Sequence, residues 1–211
     1  METTNIKKNE NSKIRFINVK FIKSASKKDE FIQDELNQVA IVGRSNVGKS
    51  SLINLLTNNR QMAKTSSTPG RTRLVNYFNI NNQFYLVDLP GYGYHKAGKE
   101  HTNVWDKTMN DYFTDNENLK AVLLLLDSRL EPSELDKQMV QYLAERDIPV
   151  VIILTKADKV NRSEIGMAKS KISTELRFNK NRIIATSTLK KQGVEEIATI
   201  LNEFLNFETN Q

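Results

Sequence analysis

Cysteine is absent from the 211-residue chain. Neither a disulfide nor a cysteine-ligated metal site is therefore open to it. That fits a reducing cytoplasm, the expected location. The opening METTNIKKNENSK has no apolar signal core. Long hydrophobic runs are also lacking. The longest, Ala121 to Leu126 and Ile148 to Leu154, fall far short of the roughly 20 residues that cross a bilayer. No membrane association is expected. Repeats and low-complexity linkers are absent too. A single domain over 14–208 is expected, behind a polar, disordered tail at 1–13. Lys and Arg outnumber Asp and Glu by 31 to 25, a net charge of +6. A basic surface permits an acidic partner such as RNA without demanding one, and a plain lysine-rich surface reads the same.

What is present is alternation of strand and helix signals. Phe16 to Phe21 reads as a first strand, and Gln38 to Val42 as a short apolar strand ending at Gly43. Ser50 to Leu56 reads as a helix. Val75 to Ile80 and Phe84 to Asp88 form a hairpin across Asn81-Asn82-Gln83. Val104, Trp105, Met109, Tyr112 and Phe113 mark an amphipathic helix. Further strands are predicted at Ala121 to Leu126, Val150 to Thr155 and Arg182 to Thr186. Helices follow each: one capped by Ser133, one through Ile165 and Leu176, one through Val194 and Leu205. This order predicts a three-layer α/β fold. Its sheet is mostly parallel with one antiparallel edge strand, and helices cover both faces.

The segment Gly43-Arg44-Ser45-Asn46-Val47-Gly48-Lys49-Ser50 fits the phosphate-loop pattern G-x-x-x-x-G-K-[ST] at every fixed position. An apolar strand precedes it and a helix follows, as that motif requires. Glycines let backbone N–H groups wrap phosphates, and the helix points its positive end at them. Lys49 is positioned to neutralise β- and γ-phosphate charge, and Ser50 to ligate Mg²⁺.

The phosphate loop does not choose the base. Thr155-Lys156-Ala157-Asp158 follows the strand Val150 to Leu154. A carboxylate at Asp158 can accept from the N1–H and exocyclic amine of guanine. Adenine would leave it unpaired. Lys156 can pack its stem along the base plane. Thr186, Ser187 and Thr188, after the next strand, can present backbone N–H groups to the guanine carbonyl. A T-K-x-D run also occurs as an ordinary helix cap, and small hydroxyl residues are common in loops. A phosphate-loop ATPase is the weaker reading.

Several stretches carry a resemblance: VAIVGRSNVGKSSLIN (Val39 to Asn54), STPGRTR (Ser67 to Arg73), FYLVDLPGYGYHK (Phe84 to Lys96), LLLLDSR (Leu123 to Arg129) and ILTKADK (Ile153 to Lys159). Over about residues 15–205 the chain resembles the EngB family, also called YihA or YsxC. These are bacterial ribosome-biogenesis GTPases of the TrmE–Era–EngA–EngB–Septin-like class of phosphate-loop proteins. PGRT together with DLPGYGY is the specific part; the phosphate loop and TKAD are shared by all such GTPases.

The resemblance implies a P-loop GTPase fold that binds GTP or GDP with Mg²⁺. It makes Thr72 a switch threonine that ligates Mg²⁺ when the γ-phosphate is present. Gly70, Arg71, Thr72, Arg73 and Leu74 line the nucleotide. Asp88 holds Mg²⁺ through water, Leu89 and Pro90 join it among the nucleotide-binding residues, and the Gly91 N–H meets the γ-phosphate. Lys49, Thr72 and Gly91 are the residues implied in catalysis. Thr155 stands where most GTPases have asparagine. The implied partner is the large ribosomal subunit precursor or its rRNA, with a role in cell division and septation. The alternative is a nucleotide-gated adaptor for a division or envelope protein. A monomer is expected.

One residue type is missing at a telling place. Tyr92 follows Gly91, where Ras-like enzymes carry a glutamine that orients water. Slow turnover is expected, helped by the ribosome or by a potassium ion. Asn46 stands where several related GTPases hold K⁺, or else it bonds only within its loop. His95, His101, Trp105 and the lysines 7, 8, 96, 99, 190 and 191 read most simply as solvated or core residues.

Overall fold

The computed structural model describes residues 14–63, 74–93 and 107–205. Seven strands form one sheet in the order β1-β3-β4-β2-β5-β6-β7. They are β1 (Val19–Ala25), β2 (Asn37–Gly43), β3 (Val75–Ile80), β4 (Phe84–Asp88), β5 (Leu119–Asp127), β6 (Val150–Thr155) and β7 (Ile183–Ala185). Five helices are described: α1 (Lys49–Leu56), α2 (Lys107–Phe113), α3 (Glu134–Ala144), α4 (Arg162–Glu175) and α5 (Val194–Leu205).

The central strands are apolar along their length because both faces are covered. Leu123 and Leu125 of β5 face one side with Val39 and Ile41 of β2, under Ile53 and Leu56 of α1 and Ile197 and Leu201 of α5. Val122 and Leu124 face the other side, under Met109 and Tyr112 of α2, Met139 and Leu143 of α3 and Ile172 of α4. Each such side chain, fully buried, stabilises the fold by about 1.5–3 kcal/mol.

The expected fold class is found, with two refinements. Only β3 runs against the others, paired antiparallel to β1 and β4. It lies one place in from the edge, because β1 covers it. The first strand also begins at Val19 rather than Phe16. The side chain of Asn81 explains this: its Oδ1 accepts from the N–H groups of Ile17 and Asn18 at 3.2 and 2.9 Å. Those N–H groups are thereby tied to the hairpin turn. That turn needs two left-handed residues, and Asn81 and Asn82 supply them at φ 55° and 57°. The helical positions Val104 and Trp105 and the tail at 1–13 lie outside the described residues.

The chain leaves β2 through α1 on one face and returns to β5 through α2 on the other. Such a reversal opens a crevice at the carboxyl ends of the strands, where α/β folds bind ligands. Gly43, Asp88, Asp127 and Thr155 all end strands there.

Helix α3 starts at a full capping box. The Ser133 N–H donates to Asp136 Oδ2 at 2.7 Å, and the Asp136 N–H returns a bond to Ser133 Oγ at 3.3 Å. The other carboxylate oxygen, Oδ1, accepts from the Tyr92 hydroxyl at 2.7 Å. Asp136 is buried, so losing that donor removes part of the carboxylate's compensation for desolvation. Tyr92→Phe is expected to lower stability by about 1–3 kcal/mol. Urea unfolding should show a lower midpoint at unchanged slope.

Candidate nucleotide site

Between β2 and α1 the chain curls through residues in the left-handed region, Asn46 at φ 63° and Gly48 at φ 115°. The second conformation suits glycine because an L side chain rarely adopts it. At Gly43 the constraint is space: a Cβ would stand 2.8 Å from Val47 Cγ1. The loop thus folds back over its own first residue and delivers Lys49 and Ser50 as the first two residues of α1.

The turn after β4 is stitched to this loop by backbone. Leu89 N–H donates to Ile41 O at 3.1 Å, Tyr92 N–H to Gly43 O at 3.2 Å, and Ser45 N–H to Tyr92 O at 3.0 Å. These bonds continue the parallel β2–β4 ladder past the strands. They draw Gly91 so close that a Cβ there would lie 3.2 Å from the Ser45 backbone. The Tyr92 side chain is buried, and its hydroxyl bonds Asp136 of α3. The phenol that follows Gly91 thus belongs to the core between the phosphate loop and α3.

Asp88 ends β4 with its Oδ1 3.8 Å from Lys49 Nζ. That oxygen is buried and has no hydrogen-bond partner. Burial holds the Asp88 carboxyl above its usual range, against the smaller opposing pull of Lys49 and Asn76. A buried carboxylate oxygen with unused acceptor capacity invites a cation. With the Ser50 hydroxyl opening α1, the available donors are hard oxygens, the kind magnesium takes. Asp88 and Ser50 thus fit a magnesium ion.

On the base side, the Thr155 hydroxyl donates to Val47 O at 2.7 Å, with Leu126 O at 3.2 Å. It is buried and ties β6 to the phosphate loop. Lys156, at φ 59°, places Nζ 2.9 Å from Asp127 Oδ2 and 3.2 Å from Asn46 O. Ala157 N–H donates to Thr186 O at 3.0 Å, which joins the two base-side loops. Asp158 Oδ1 accepts from the Ser187 hydroxyl at 2.8 Å. That bond is the main reason its carboxyl lies below the ordinary range. Ser187 is fully buried and also accepts from Lys190 N–H at 3.1 Å. Its side chain thus aims Asp158. Thr186 is buried and Thr188 exposed.

Leu74 is exposed just before β3. Gly70, Arg71, Thr72 and Arg73 lie outside the described residues, as do His95, Lys96, Lys99 and His101. Lys190 and Lys191 are exposed, and Lys191 Nζ reaches Asn58 Oδ1 at 3.4 Å. Sequence reasoning assigned no role to Asp127, Arg129 or Asp136. The readable signal was an acid closing the apolar run LLLLD, and an Asp three residues after the cap Ser133.

The family described as "50S ribosome-binding GTPase" matches residues 38–156. A protein of Clostridium beijerinckii named "Probable GTP-binding protein EngB" is 47% identical over 90% of this chain and 96% of its own. One of the same name from Thermoanaerobacter pseudethanolicus is 43% identical over 88% and 97%. Among solved structures, one titled "Crystal structure of a probable GTP-binding protein engB" superposes with a TM-score of 0.66. At 21% identity, over 80% of this chain and 98% of that one, it speaks for the fold. With a phosphate loop, a DLPG turn against it and a TKAD loop over it, this chain belongs to the EngB family of GTP-binding proteins, within the phosphate-loop GTPases.

Proposed function

We propose that the protein is a magnesium-dependent GTP switch with slow intrinsic hydrolysis that assists assembly of the large ribosomal subunit. The observation that carries the switch reading is the backbone stitch of Tyr92 to Gly43 and Ser45. It sets the Gly91 peptide beside the loop that would hold the phosphates. In this reading Gly43 to Gly48 wrap the phosphates, and Lys49 neutralises their charge. Ser50, Asp88 through water and Thr72 hold magnesium. When bound, that ion offsets charge on the β- and γ-phosphate oxygens. The Gly91 N–H reports the γ-phosphate, whose loss releases the adjoining loops. Asp158, aimed by Ser187, reads guanine, and Lys156 covers the base. Gly70 to Leu74 and the 186–188 loop complete the nucleotide's surroundings. The working unit is one domain over 14–208, monomeric and cytoplasmic.

Slow turnover follows from the Tyr92 position. Its hydroxyl is bonded to Asp136 at 2.7 Å, so it has no hydrogen left to hold an attacking water. Help comes from the assembling ribosome, or from a potassium ion at Asn46, which is exposed in the loop. The family model's description supports the ribosomal role. A division or envelope partner is the second reading, in which hydrolysis is incidental.

Three outcomes are expected. The protein should co-sediment with large-subunit precursors in a non-hydrolysable GTP analogue and leave them in GDP; no retention in either state would sink the ribosomal role. Asp158→Asn should weaken GTP binding by roughly two orders of magnitude and shift preference away from guanine, read by nucleotide titration. Unchanged affinity in Asp158→Asn would favour the phosphate-loop ATPase reading instead. Turnover should be faster in KCl than in NaCl, and equal rates would remove potassium from the mechanism.

A further inference from the structure

Asp127 closes β5 with a side chain only 8% exposed. Its Oδ2 lies 2.9 Å from Lys156 Nζ and 2.7 Å from Arg129 Nη2. Its Oδ1 accepts from Arg129 Nε at 2.9 Å and from the Arg129 backbone N–H at 3.1 Å. Arg129 therefore grips the carboxylate with two parallel bonds, a geometry that a guanidinium offers and an ammonium does not. Burial pushes the Asp127 carboxyl up, yet the hydrogen bonds from Arg129 and Lys156 outweigh it and hold the group well below the usual carboxylate range. Asp127 is thus a fixed anion at every ordinary pH.

The other end of this chain of contacts is Lys156. Its backbone stands in the left-handed region at φ 59°, uncommon for a lysine. Its ammonium is held on two sides, by Asp127 and by the Asn46 carbonyl at 3.2 Å. Both holders are protein groups, so the stem between them has its course set by the protein. A lysine otherwise loses much rotamer freedom when it settles on a ligand, and prior placement removes that cost from binding.

We propose that Asp127, clamped by Arg129, is a positioning residue for guanine-nucleotide binding: it sets Lys156 across the base site before the nucleotide arrives. The proposal rests on the guanine-site reading above. It separates two neighbouring carboxylates by task. Asp158, bonded to Ser187, reads the base; Asp127 fixes the lysine that covers it. The turn after β5 is not held by the Asp127 charge alone. The Leu130 N–H bonds the Asp127 main-chain carbonyl at 3.0 Å, and an asparagine there keeps an oxygen for the Arg129 N–H.

The test is a cycle of Asp127→Asn and Lys156→Ala on the full chain. GDP affinity is measured by titration, and melting temperature without nucleotide. Asp127→Asn is expected to weaken GDP binding about tenfold in the wild-type background, within the range for groups in contact. In the Lys156→Ala background the same change should cost less than about twofold. Preference for GDP over ADP should persist, because Asp158 keeps its Ser187 bond. Arg129→Lys, which keeps the charge and loses the two-bond grip, should weaken binding about threefold and likewise lose its effect without Lys156. It also serves if Asp127→Asn does not fold. Equal losses in both backgrounds, no loss at all, or a collapse of the GDP preference would overturn the proposal. Wild-type protein that binds no guanine nucleotide would instead bring down the site reading itself.

Discussion

The backbone exchange between Tyr92 and the residues flanking Arg44 is the constraint on which the rest of the site depends. Two strands that are partners in a sheet normally part company where their loops begin. Here Tyr92 donates to Gly43 and accepts from Ser45, so pairing extends beyond both strand ends. The phosphate loop and the first residues of the turn after β4 are consequently joined by backbone. From the opposite side, the Thr155 hydroxyl holds the same loop through Val47. A loop pinned on two flanks by short bonds is preorganised, and a ligand that matches it need not reorder it.

Polar groups around this loop fall into two sorts. Most have their hydrogen bonds already made by protein: Thr155 on Val47, Ser187 on Asp158, Asp136 on Ser133 and Tyr92. Asp88 Oδ1 is different, buried with Lys49 nearby and no bond of its own. Burying an acceptor without compensation is costly in a folded chain. Asp88 ends β4 at the crevice, with acceptor capacity that a cation there would use.

The fold was legible because the apolar runs of β2, β5 and β6 and the periodic helices state their environment directly. The hairpin was legible because asparagines tolerate the left-handed turn. The start of β1 was not, since it hangs on the Asn81 side chain across more than sixty residues, a contact no local pattern encodes. The phosphate loop and TKAD could be read from residue types at fixed spacing. The actual duty of Tyr92 could not, because its partner Asp136 lies 44 residues away. Thr155 and Ser187 stand out in the sequence as candidates, yet their hydroxyls bond protein groups. Spacing alone does not say which way a short side chain turns. Asp127 and Arg129 went unassigned for the same reason: a charged pair two residues apart looks like any solvated turn until Lys156 joins it.

The margins of the sheet carry a consequence of their own. Strand β7 has three residues, too few to template a neighbour. Strand β1, at the other margin, has a register shift between Phe21 and Lys23, and Lys20 stands exposed along it. A bulge and lysines are what keep an open strand from recruiting another chain. Both ends of the hydrogen-bond ladder are thus blunted, one by brevity and one by distortion and charge. The register shift and Lys20 therefore work against recruitment of a second chain at β1, where Phe21 and Ile22 also stand exposed.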